Sequence, residues 1–125
     1  MSAEVRVQVP ASGEFLQVLR NVVAALAARA GCSVDVLADL RLAVDEAALR
    51  LLHDVPAADG VVVEAGRDAA SLALSVAVTA ADDGWPRAEL TSSMGWHILT
   101  SLVDDAEPTT TADGPAISFR VPTGG

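Results

Sequence analysis

Apolar and polar residues alternate at the start of the chain, with Val5, Val7 and Val9 set against Glu4, Arg6 and Gln8. A period of two with a β-branched face predicts a half-buried strand over residues 4–9, closed by Pro10. The period then lengthens. Phe15, Leu19, Val22 or Val23, and Leu26 recur at helical spacing. Ser12 is the candidate N-cap of this first helix, Glu14 suits its positive end, and Gly31 stops it. Ser33 opens a second helix with Asp35 in its first turn. The apolar stripe of that helix is Leu37, Leu40, Val44, Ala47, Ala48 and Leu51, and Pro56 lies just beyond its end.

Residues 61–65 and 72–79 are β-rich and predict two strands, with a turn at Gly66-Arg67-Asp68 between them. A polar stretch over 80–93 contains Asp82-Asp83-Gly84 and Pro86. Residues 95–103 read as a short helix that sends Trp96 and Ile98 to the core. Residues 107–111 and 116–121 read as two last strands joined at Asp113-Gly114. Helices bunched early and strands bunched late predict an α+β, two-layer sandwich, with helices on a mixed, mainly antiparallel sheet. The regular strand–helix alternation of a doubly wound sheet is absent.

At 125 residues the chain makes one domain with one core. It is 51% hydrophobic yet has two Phe, two Trp and no Tyr, so Val, Leu and Ala must fill the interior. The net charge of −9 repels a phosphate backbone, which argues against direct nucleic-acid binding. Positively charged protein surfaces suit it better, although acidity also serves solubility. The one cysteine, Cys32, excludes an internal disulfide and any multi-cysteine metal cluster, and reads as a core or helix-boundary thiol. No signal peptide and no bilayer-length apolar run are legible, so the expected compartment is the cytoplasm.

Three segments could carry chemistry. Glu46, Arg50 and His53 share one side of the second helix, opposite its Leu/Val stripe. Taken alone they are a solvated face with a Glu46–Arg50 pair worth about 0.2–0.5 kcal/mol. Asp82 could accept a hydrogen bond from an exocyclic amine, and Gly84 would let a flat ring approach, but acidic-glycine turns after strands are common. Gly95 lies where backbone N–H groups can hold phosphate, or simply where a helix starts. His53 and His97 have no second ligand at metal-binding spacing, and no serine sits in a nucleophile elbow, so hydrolase and metalloenzyme chemistry lack support.

The order and spacing of these segments resemble the GHKL ATPase superfamily. Asp39-Leu40-Arg41-Leu42-Ala43-Val44-Asp45-Glu46-Ala47 resembles the start of its N box. Met94-Gly95-Trp96-His97-Ile98-Leu99-Thr100-Ser101-Leu102-Val103-Asp104-Asp105 resembles its last glycine box and the helix that follows. Within the superfamily the chain is similar to the anti-sigma factor/serine-protein kinase family typified by RsbW, and especially to actinobacterial stress anti-sigma factors. The resemblance spans nearly the whole chain. It implies sequestration of an alternative sigma factor, release by a STAS-type anti-anti-sigma protein, and a homodimer. Many members also bind ATP with Mg²⁺ and phosphorylate the antagonist.

By matching position, Glu46 would be the acidic N-box residue, Asp82 the adenine-reading carboxylate with Gly84 beside it, and Gly95 part of the phosphate-facing turn. Three departures alter that site. Arg50 stands where the family's kinases carry a Mg²⁺-ligating Asn, and a guanidinium has no lone pair for a metal. The first glycine box runs on as Trp85-Pro86 without its second glycine. The lid segment, residues 85–94, is short and lacks a second glycine near Gly95. The expectation is a binding module with weak or absent nucleotide affinity, no metal, and Arg50 close to Glu46. The competing reading is a kinase in which Arg50 supplies the metal's charge. In the family the first helix contributes partner contacts, which makes Gln17, Arg20 and Asn21 the candidate partner surface.

Overall fold

The computed structural model describes residues 4–124. Strand β1 (Val5–Pro10) leads into helix α1 (Gly13–Arg29), then α2 (Val34–Asp54). A hairpin of β2 (Gly60–Asp68) and β3 (Ser71–Val78) follows. A single 3₁₀ turn (Leu90–Ser92) precedes α3 (Met94–Leu102), and β4 (Asp104–Thr110) and β5 (Pro115–Pro122) complete the chain. The five strands form one sheet in the order β1-β2-β3-β5-β4. All four pairings are antiparallel, so the parallel pairs of the expected mixed sheet are absent among the described residues. The α+β, two-layer sandwich stands as expected.

The helices fold where their apolar stripes meet the sheet. On α2, Leu40, Val44 and Leu51 are fully buried, while Leu37 packs on the edge of the core. The inward positions of the strands, among them Val61, Val63, Leu74, Val76, Ile117 and Phe119, face them. Burying such side chains stabilises by about 1.5–3 kcal/mol each, the dominant favourable contribution here. On α1 the buried stripe is Leu16, Leu19, Val23 and Ala27. Phe15 and Leu26 are only partly buried, so the stripe is rotated from the expected one. Ser12 occupies the N-cap position without a capping hydrogen bond, whereas Ser33 Oγ accepts from the Val36 N–H at 3.1 Å. Gly31, at φ +78°, ends α1 as expected. Cys32 follows half-buried, and burial pushes its thiol pKa up.

The hairpin turn differs from expectation. Gly66 and Arg67 stay in the ladder opposite Ala73 and Leu72, and the chain reverses at Ala69-Ala70. The Arg67 N–H donates to Glu4 Oε1 and its Nη2 donates to the Arg29 carbonyl, which holds this end of β2 extended. Ala69 therefore takes the left-handed conformation, at φ +55°. In α3, Trp96 and Leu99 reach the core, while Ile98 is exposed. Strand β4 starts earlier than expected, at Asp104. An irregularity between Asp104 and Glu107, with Asp105 at φ +54°, breaks its register with β5, and Pro108 lies within it.

Candidate functional site

The last two turns of α2, the loop after β3 and the start of α3 converge on one region. Ser93 sets the α3 end of it, since its Oγ caps the helix by accepting from the Trp96 N–H at 3.2 Å. Gly95 is pressed against α2, where a Cβ on it would lie 3.2 Å from Glu46 Oε2. Glu46 and Gly95, 49 positions apart in the chain, are thus neighbours.

Arg50 does not pair with Glu46. Its Nε donates to Asp54 Oδ2 at 3.0 Å, one turn in the other direction. The Asp54 side chain is only 4% exposed, and a carboxylate left there without a cation would be costly, so it captures the guanidinium. His53 Nδ1 lies 3.1 Å from Asp54 Oδ1 at the solvent edge of the same cluster. The face expected to be solvated is partly closed by this cluster.

Asp82 is also engaged. Arg87 holds it in a fork, Nη1 donating to Oδ1 at 3.0 Å and Nη2 to Oδ2 at 2.8 Å. The Gly84 N–H adds a bond to Oδ1 at 2.8 Å. These bonds, Arg87 first, hold the Asp82 carboxyl below its ordinary value, and Asp82 in turn raises the Arg87 guanidinium. Arg87 Nη2 also donates to the Asp54 carbonyl at 2.9 Å, joining the loop to the end of α2. A Cβ on Gly84 would collide with this guanidinium, so the glycine makes room for Arg87, where a flat ring had been expected. Trp85 anchors the loop from below, its indole N–H donating to the Thr109 carbonyl at 2.9 Å.

Arg87 went unnoticed in the sequence. Its only signal was a cation five residues after Asp82 in a stretch with no periodicity. The side chains in this region do not fit Mg·ATP as arranged. Position 50 offers no lone pair and its guanidinium is committed to Asp54, while the carboxylate at 82 already has a planar two-donor partner.

On the outer side of the helices, Gln17 and Asn21 are exposed and bonded to each other, Nε2 to Oδ1, at 3.1 Å. Arg20, the third residue of the candidate partner surface, is engaged within the chain. Its Nε faces Asp45 Oδ1 at 3.0 Å, an ion pair joining α1 to α2, without the alignment of a good hydrogen bond. Beside that pair runs a groove of about 380 Å³ that includes Leu37, Ala38 and the exposed Val34 and Leu42.

Residues 9–121 match the family described as the histidine kinase-like ATPase domain. Two curated relatives are both anti-sigma-F factor RsbW of Mycobacterium tuberculosis, from strains CDC 1551/Oshkosh and ATCC 25618/H37Rv. Each is 35% identical over 105 residues, covering 82% of this chain and 60% of the relative's own length.

Proposed function

The chain belongs to the family of histidine kinase-like ATPase domains, and on that premise we propose that it is an anti-sigma factor working by stoichiometric capture. It binds an alternative sigma factor in the cytoplasm and releases it when a STAS-type anti-anti-sigma protein competes, as part of a stress or developmental response. Partner switching of this kind needs only two ligands with overlapping surfaces, their concentrations deciding the outcome. The similarity to RsbW over most of the chain supports the partner class. The exposed Gln17 and Asn21, the half-exposed Arg20 and the apolar groove beside it support the helical layer as the partner surface. Two copies of the chain forming a homodimer belong to the same reading.

The observation that carries the binding-module form is the commitment of Arg50 to Asp54 and of Asp82 to Arg87. Affinity for nucleotide is weak or absent, Mg²⁺ takes no part, and Glu46 is left without a kinase's metal to work beside. The test uses the purified chain with the sigma factors of its own cell and a STAS antagonist. Expected are capture of one sigma factor without nucleotide, its displacement by the antagonist, and no transfer of label from γ-labelled ATP with magnesium. Capture of no sigma factor would refute the reading. Magnesium-dependent labelling of the antagonist would put the kinase in its place.

A further inference from the structure

We infer that a cavity where α1 finishes is a binding site for a small monocarboxylate with an apolar body, of the kind a short fatty acid provides. The inference goes beyond the proposed function and concerns another part of the molecule. Leu72, at the start of β3, lines the cavity, whereas the loop of Asp82 leaves the far end of that strand. The cavity measures about 370 Å³ between the last turn of α1 and the strands beneath it. Small-ligand sites span roughly 300–1,000 Å³, so its size suits a compact molecule.

The distribution of cations points to this place. All eight basic residues of the chain are arginines, set against 17 acidic ones. Arg6, Arg20, Arg50, Arg87 and Arg120 each pair with a carboxylate. Of the other three, Arg29 and Arg67 line this one cavity, and among the described residues neither forms an ion pair. On so acidic a protein, two neighbouring guanidiniums without a carboxylate make a local positive field that an anion would neutralise. Arg67 is already held in position. Its backbone N–H donates to Glu4 Oε1 at 2.9 Å and its Nη2 donates to the Arg29 carbonyl at 3.0 Å. A guanidinium fixed in this way loses little freedom when its remaining N–H groups take up a ligand.

The rest of the lining selects the ligand. Leu26, Ala65 and Leu72 contribute apolar surface to the cavity, which an apolar chain would cover and a bare inorganic anion would leave in water. The Glu4 carboxylate also lines it, and Arg29 lies at the negative, carbonyl end of α1. Both disfavour a second negative charge, so a carboxylate fits better than a phosphate dianion.

The experiment is calorimetry with octanoate as the probe, octanamide as its uncharged match and octyl phosphate as its dianionic one. Octanoate should bind one to one, and each match at least about fivefold more weakly, as loss of a charge-assisted contact or added repulsion requires. Arg29→Gln should weaken octanoate at least about fivefold and leave octanamide unchanged. Ala30→Leu, which fills the cavity from the helix side, should weaken both ligands; Arg29→Gln decides the matter if that variant does not fold. Arg41→Gln removes the third unpaired arginine, which lines the other groove, and should change nothing. No octanoate binding by the unaltered chain below micelle formation would overturn the inference. So would equal or tighter binding of either match, undiminished binding by folded Arg29→Gln, or a loss in Arg41→Gln, which would put the ligand in the other groove. Sigma-factor capture by the same preparations reads the proposed function separately.

Discussion

Replacing Arg20 by Glu sets two roles of one residue against each other. In the structure its Nε lies 3.0 Å from Asp45 Oδ1, with the side chains 30% and 26% exposed. Exposed pairs are worth about 0.2–1 kcal/mol, and breaking a buried one costs about 3–5 kcal/mol. This pair lies between those limits, and the new Glu would face Asp45 with like charge. Arg20→Glu is therefore expected to destabilise by about 1–3 kcal/mol. For a chain of this length that lowers the melting temperature by roughly 4 °C per kcal/mol. Substitution of an exposed residue without such a partner would stay within about 0.5 kcal/mol. Thermal and urea melts measure the loss. The exchanged pair, Arg20→Glu with Asp45→Arg, should recover at least half of it, since the interhelical charges are restored. That exchanged form is also the clean probe of partner binding. If Arg20 is a contact, it folds yet binds the sigma factor or antagonist more weakly by at least about 1–2 kcal/mol. A melting temperature for Arg20→Glu within about 2 °C of the unaltered chain would refute the structural argument. Unchanged affinity of the exchanged form for both partners would remove Arg20 from the interface.

Leu40→Ala should cost about 2–5 kcal/mol in urea unfolding, because Leu40 is fully buried between α2 and the sheet. Ala69→Gly should stabilise by up to about 1 kcal/mol, since φ +55° strains alanine more than the added unfolded-state freedom of glycine costs. Acid should reveal the Asp82 pair. A carboxyl whose folded pKa is depressed contributes stability that is full above its unfolded pKa and lost as pH falls through the folded value. Melting temperatures should thus drop more steeply below about pH 4 for the unaltered chain than for Asp82→Asn. Calorimetry of the unaltered chain with Mg·ATP should give weak or undetectable heat, and tight magnesium-dependent binding would revive the kinase.

Local signals were legible and long-range choices were not. The stripe of α2, the Ser33 cap and the Gly31 stop depend on near neighbours, and the sequence carries them openly. The hairpin turn was misplaced because Gly66-Arg67-Asp68 has turn chemistry, yet pairing with β3 and the bonds of Arg67 to Glu4 and Arg29 keep it in the strand. Arg50 had acidic residues four positions away on either side, Glu46 and Asp54, and spacing cannot choose between them. Burial can, because Asp54 lies inside and needs the cation more. For the site, the packing of α3 on α2 brings Gly95 beside Glu46, a proximity that local spacing does not carry. The partner of Asp82 lay in an aperiodic loop, and only the folded chain brings Arg87 onto the Asp54 carbonyl, 33 residues away.

The irregular outer strand limits how copies of this chain can join. Along β4, Asp104, Asp105 and Glu107 would repel an approaching strand of the same acidic protein, and the kink at Asp105 spoils the flat template that added strands require. Pro108 has no N–H to offer a newcomer. One rim of the sheet is therefore sealed, leaving β1, among the described residues, as the open one. A sheet with a single open rim can be extended by a copy of itself only once, about a twofold axis, after which both open rims are consumed. Growth by strand addition ends at a pair, and a ribbon of stacked copies has no second rim from which to continue.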